Sequence, residues 1–157
     1  MSLRQHLSPD GVMILQGTDK RAVLEEMVDA LAAPARGVDR EQIDQAIWRR
    51  EGLMSTGIGH GLAVPHVRLP GLAEPVMVAA VCPAGVADYE SMDAEPVRII
   101  IMIAAPQGQH ETYIRMLAEV AEVLKDPRVR RQILAATDPR RVYELVTGQA
   151  VAEESAS

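Results

Sequence analysis

The chain has 157 residues, a formal net charge of −6 and 48% hydrophobic side chains, the profile of one globular domain long enough to bury its own core. With no phenylalanine, one tryptophan and three tyrosines, that core is aliphatic. The acidic balance argues against a nucleic-acid partner and against adsorption to anionic membrane, the lone Cys82 excludes an internal disulfide, and no apolar run approaches the ~20 residues of a membrane span. The first residues lack the apolar stretch of a signal peptide, which fits a cytoplasmic protein without direct membrane insertion.

Residues 11–15 read as a short strand. Thr18 is the expected cap of a helix carrying Leu24, Met27, Val28 and Leu31 on one face, ended by Pro34 and Gly37. Asp39 starts the next helix. Gln42 stands three residues on as in a capping box, and Val38 and Ile43 are spaced as a hydrophobic staple. Ile43, Ile47 and Arg50 share a face of that helix, whereas Arg49 points away from it. Residues 75–82 and 97–105 are apolar runs expected to form central strands covered on both faces. The stretch between them, 83–96, is polar and punctuated enough to be a surface loop. A long helix over 109–125 is expected to bury Ile114, Leu117, Ala118, Ala121 and Leu124. Asp126-Pro127 and Asp138-Pro139 each announce a further helix, the last closed by Gly148. Residues 149–157 read as a flexible tail, leaving one domain over 1–148. The expected class is α/β, a central mixed sheet of about five strands flanked by helices on both faces.

The chemistry concentrates in residues 55–68, where Gly57, Gly59 and Gly61 precede the run Ala63-Val64-Pro65-His66. Glycines let backbone N–H groups approach an anion, and the Thr56 hydroxyl could add a donor. A neutral imidazole at His66 carries one nucleophilic nitrogen, with Pro65 stiffening the backbone before it. In isolation a histidine at the edge of a core would look the same. Arg50 tips the balance, because a guanidinium at the point where its helix empties into the glycine loop could hold phosphoryl oxygens in bidentate fashion. His110 opens the long helix after Pro106-Gln107-Gly108, where an anion would be favoured. His6 and His60 read as surface residues, and Cys82 as a small buried hydrophobe. A metal site built from His60, His66 and His110 is disfavoured by their spacing and by the lack of a nearby acidic or thiol ligand.

Arg50-Glu51, then Ser55-Thr56-Gly57-Ile58-Gly59, then Ala63-Val64-Pro65-His66 resembles the signature of enzyme IIA domains of the bacterial phosphotransferase system. The branch is the fructose/mannitol type, which includes the nitrogen-regulatory enzyme IIA. Asp93-Ala94-Glu95-Pro96-Val97 and the segment from Leu117 to Asp126 extend the resemblance to roughly residues 5–148. It implies a phosphotransferase without cofactor. His66 would accept a phosphoryl group from HPr or a nitrogen-branch HPr-like protein, Arg50 would pair with the phosphohistidine, and the group would pass to an enzyme IIB component or serve as a regulatory mark read by target proteins. The absence of a carrier domain or membrane segment from this sequence suits the regulatory role. Met54 and His60 stand where the family usually has glycine and asparagine. Counting back from Leu117, the family's second active-site histidine falls on Tyr113, with His110 one turn earlier.

Overall fold

The computed structural model describes residues 3–17, 19–33 and 39–148. Eleven principal elements follow two short 3-10 turns: β1 (Val12–Ile14), α1 (Lys20–Leu31), α2 (Arg40–Leu53), β2 (Gly57–Gly59), β3 (Leu62–Ala63), β4 (His66–Leu69), β5 (Val76–Val86), β6 (Val97–Pro106), α3 (His110–Leu124), α4 (Pro127–Ala135) and α5 (Pro139–Val146).

These strands form one mixed sheet in the order β1-β5-β6-β3-β2. β5 and β6 pair antiparallel from Val76 opposite Ala104 to Val81 opposite Ile99, and β1 runs parallel to β5. β3 and β4 both run parallel to β6, along its Ile99–Ile100 and Ile103–Pro106 stretches. They are one strand position interrupted at Val64-Pro65, where Pro65 has no N–H to give a ladder. The sheet is thus five positions wide and six strands by segment.

Alternation along the two central strands divides the core in two. Val78, Ala80 and Cys82 of β5, with Ile100, Met102 and Ala104 of β6, pack under α1 and α2 against Leu24, Met27, Ile43 and Ile47. Met77, Ala79 and Val81, with Ile99, Ile101 and Ile103, pack on the other face against Met116, Val120, Ile133 and Val142 of α3, α4 and α5. Both faces are covered, so both central strands read as unbroken apolar runs. Each fully buried Leu, Ile or Met adds about 1.5–3 kcal/mol, which makes these two layers the principal source of stability. Cys82 is among them, and burial pushes its thiol up to about 11.

Caps follow the sequence closely. Asp39, Asp126 and Asp138 accept from the N–H groups of Gln42, Arg128 and Arg140. Gly148 has φ +77 just past α5 and donates its N–H to Leu145 O. The cap of α1 is Asp19, accepting from the Ala22 N–H, rather than the expected Thr18; Thr18, Pro34, Gly37, Val38 and residues 149–157 lie outside the described residues.

Two expectations are corrected. α3 buries Tyr113, Met116, Val120 and Leu124, while Ile114 is 50% exposed and Ala118 and Ala121 face solvent. The helix is turned by about one residue, because a tyrosine and a methionine bury more apolar area than alanines do. The stretch after Cys82 is not all loop: β5 continues to Val86, and Tyr89 is 2% exposed. Its phenol is paired inside the fold, so a polar sequence context does not keep it at the surface.

Candidate functional site

β2 and β3 form a hairpin in which Gly57 faces Ala63 and Gly59 faces Leu62. His60 and Gly61 make its turn with φ of 58° and 77°, a left-handed pair that matches the twist of a two-residue hairpin. The segment 91–95 holds this turn from outside. Asp93 accepts from the N–H groups of His60 (2.9 Å) and Glu95 (3.1 Å), which keeps its carboxyl below the usual range. The Gly59 N–H donates to Ser91 Oγ at 3.0 Å, and the Gly57 N–H points to Ser55 Oγ at 3.4 Å. The N–H groups of Gly57 and Gly59, expected as anion donors, are therefore engaged by the Ser55 and Ser91 hydroxyls. At Gly57 the requirement is space: a Cβ there would sit 2.3 Å from the Glu90 carbonyl oxygen.

Arg50 and Glu51 occupy the last turn of α2 and point to different surroundings. Arg50 is partly exposed, and its Nη1 donates to Met54 O at 2.9 Å; no carboxylate pairs with it among the described residues. Glu51 is buried. Its Oε1 meets Lys20 Nζ at 2.9 Å, and its Oε2 accepts from the hydroxyl of Thr56. Tyr89 OH lies 2.6 Å from Thr56 Oγ1, and Lys20 Nζ sits 4.4 Å above the Tyr89 ring. Burial, reinforced by Glu51, pushes the Tyr89 phenol well up, so it stays protonated and able to donate. The Thr56 hydroxyl thus belongs to a buried network that ties α1, α2, the hairpin and residue 89 together. Sequence spacing alone did not reveal Glu51 or Lys20 as members, because the network joins residues 20, 51, 56 and 89.

His66 opens β4. Its Nδ1 lies 2.6 Å from the Val64 carbonyl oxygen, which can only accept. The ring proton is therefore on Nδ1, and Nε2 carries the lone pair. Burial lowers the affinity of this imidazole for a second proton, and the Arg50 charge lowers it further. The Val64 bond and Glu51 oppose the shift, but the net direction is downward. A neutral ring with a fixed tautomer is the form a nucleophile requires.

Across from His66 stands Tyr113, with ring centroids 5.6 Å apart and planes tilted by 50°. Of the two candidates on α3, Tyr113 is the one against the His66 ring. His110 is exposed, and its Nδ1 accepts from Arg68 Nη1 at 2.9 Å. Arg68 was not among the residues selected from the sequence. Its signal was the strand period, which puts positions 66 and 68 on one side of β4.

A groove of about 510 Å³ runs between the hairpin and α3. Arg50, Thr56, Gly57 and His66 line it together with apolar side chains that include Ile58, Leu117 and Leu124. Met54, Ile58 and Met92 on its walls are strongly exposed, at 70%, 49% and 83%. Among the described residues, no cluster of His, Cys, Asp or Glu is arranged to hold a metal ion, and no helix is long and apolar enough to cross a membrane.

The family model of the phosphoenolpyruvate-dependent sugar phosphotransferase system EIIA 2 matches residues 5–148. The chain belongs to this family. The fructose-specific EIIABC component of Bacillus subtilis is 32% identical over 84% of the chain, and the chain spans only 21% of that protein's length. The nitrogen regulatory protein of Bradyrhizobium diazoefficiens is 28% identical over 93% of the chain, covering 95% of that protein. In fold, the chain is similar to the nitrogen regulatory protein IIA-Ntr of Neisseria meningitidis, with a TM-score of 0.85 and 20% identity over 92% of this chain and 99% of that one. The mixed sheet flanked by helices expected from the sequence is the fold of this phosphotransfer family.

Proposed function

We propose that this EIIA protein carries a phosphoryl group on His66 Nε2, received from HPr or a nitrogen-branch HPr-like protein. The observation that carries the reading is the Nδ1–H bond to the Val64 carbonyl, which leaves a neutral ring with its lone pair on Nε2. In the transfer, that lone pair forms the new N–P bond while the donor's N–P bond breaks and its electron pair returns to the donor nitrogen. The Nδ1 proton stays on the ring, donated to the Val64 carbonyl oxygen. Arg50, free of any carboxylate among the described residues, supplies positive charge to the equatorial oxygens. Gly57 and Gly59 shape the loop, and Thr56 supports it from within, rather than offering free donors. Exposed Met54, Ile58 and Met92 around the groove form an apolar collar on which a small carrier protein could seat. The phosphoryl group then passes to an enzyme IIB component.

Incubation with phosphoenolpyruvate and the general phosphotransferase proteins, followed by intact mass, tests this directly. One acid-labile, base-stable phosphate on the wild-type chain, lost in His66→Ala, is expected. An unmodified wild-type mass overturns the assignment.

A regulatory reading is supported by the 28% identity to a nitrogen regulatory protein over 93% of the chain. Here phosphorylation of His66 adds about −1.5 to −2 of charge beside the apolar collar and changes which target proteins bind. Affinity capture with phosphorylated and unphosphorylated chain separates the two roles. A partner outside the phosphotransferase system that binds only one form supports regulation, and phosphate transfer to a IIB protein without such a partner supports the carrier.

A further inference from the structure

Arg68 follows His66 by two residues on β4, about 6–7 Å along the strand and on the same side of the sheet. Both side chains meet Tyr113: the His66 ring at 5.6 Å and the Arg68 Cζ at 5.4 Å from its ring. Arg68 Nη1 also donates to His110 Nδ1 at 2.9 Å. A guanidinium can only donate, so that imidazole is neutral at Nδ1. No carboxylate contacts Arg68 among the described residues. An exposed arginine in an acidic protein is thus held by a ring face and a neutral nitrogen, and its charge is left uncompensated.

We propose that Arg68 is a second phosphoryl-binding cation of the His66 site. This rests on the phosphohistidine reading above. Tyr113 stands where the family resemblance places a second histidine, and burial raises its phenol, so the ring is neutral and brings no positive charge. Arg68 supplies that charge from the adjacent strand. When the phosphoryl group reaches Nε2, the guanidinium exchanges a neutral acceptor, His110 Nδ1, for phosphoryl oxygens. The new bonds are charge-assisted and about twice as strong. His110 then returns to water at little cost, because it is exposed. Its role is to park the arginine beside the site in the unphosphorylated state.

Potassium phosphoramidate provides a test without a protein partner. It donates its phosphoryl group to the imidazole as the P–N bond breaks and ammonia leaves. Uptake is followed by intact mass, and the Arg68 side-chain N–H resonance by NMR before and after phosphorylation. Arg68→Gln is expected to slow uptake by about five- to tenfold, as for loss of one charge-assisted contact, with Arg68→Lys recovering part of the rate. The Arg68 resonance should move on phosphorylation of the wild type and stay still in His66→Ala. Wild-type uptake in Arg68→Gln with an unmoved resonance overturns the proposal. So does slow uptake in both variants with an unmoved resonance, which would mean Arg68 only packs on Tyr113. If the wild type itself takes no phosphate at His66, the phosphohistidine reading fails, and the role of Arg68 falls with it.

Discussion

On the α2 side of His66, polar groups are buried and bonded to one another; on the α3 side they are exposed and held by neutral partners. Glu51, Lys20, Thr56 and Tyr89 form the first arrangement, with the Glu51 and Lys20 side chains only 2% and 16% exposed. Arg68 and His110, exposed over the buried Tyr113 ring, form the second, beside an apolar helix face that includes Ile114. The contrast separates two tasks. A buried, satisfied network fixes geometry, because every member would be left unpaired by movement. An open face of neutral contacts can exchange them for a ligand or partner at little cost.

That contrast can be broken by substitution. Glu51→Ala should have the largest effect, lowering stability by about 3 kcal/mol because the Lys20 ammonium loses its ion-pair partner while largely buried. Urea unfolding measures it, and a loss below about 0.5 kcal/mol would mean the network is not under tension from burial. Gly57→Ala should follow at about 1–3 kcal/mol, since its Cβ would meet backbone at 2.3 Å. Gly108→Ala, before α3, has open space around it and should stay within about 0.5 kcal/mol. Equal costs at the two glycines would erase the difference between the sides.

Ile114→Gln should leave stability within about 0.5 kcal/mol, because half of the side chain is already in water. It should raise the donor concentration needed for half-maximal phosphorylation, measured with the carrier protein but not with phosphoramidate. The smallest effect concerns pH. The His66 midpoint, followed by NMR, should lie below the ordinary value of about 6.5, and Arg50→Gln should move it upward. Because folding favours the neutral ring, this histidine contributes stability above about 6.5, and the contribution is lost as pH falls toward its lowered midpoint.

Much of this was legible in the residues themselves. The caps at Asp39, Asp126 and Asp138 depend on a side chain and an amide two or three residues away, so local sequence suffices. The central strands and the position of Arg50 on the same groove as His66 also followed, from unbroken apolar runs and a helix that empties into the glycine hairpin. Tertiary structure decided the rest. The rotation of α3 depends on which face finds the larger side chains a home against the sheet, and helical period alone could not choose between neighbouring stripes. The burial of Tyr89 and Glu51 depends on partners 31 to 69 positions away in sequence from Lys20, which come together only when α1, α2 and the end of β5 close over one another. The placement of Arg68 beside Tyr113 and His110 is of the same kind: a strand period sets its side of the sheet, but only the packing of α3 across β4 gives its charge something to rest on.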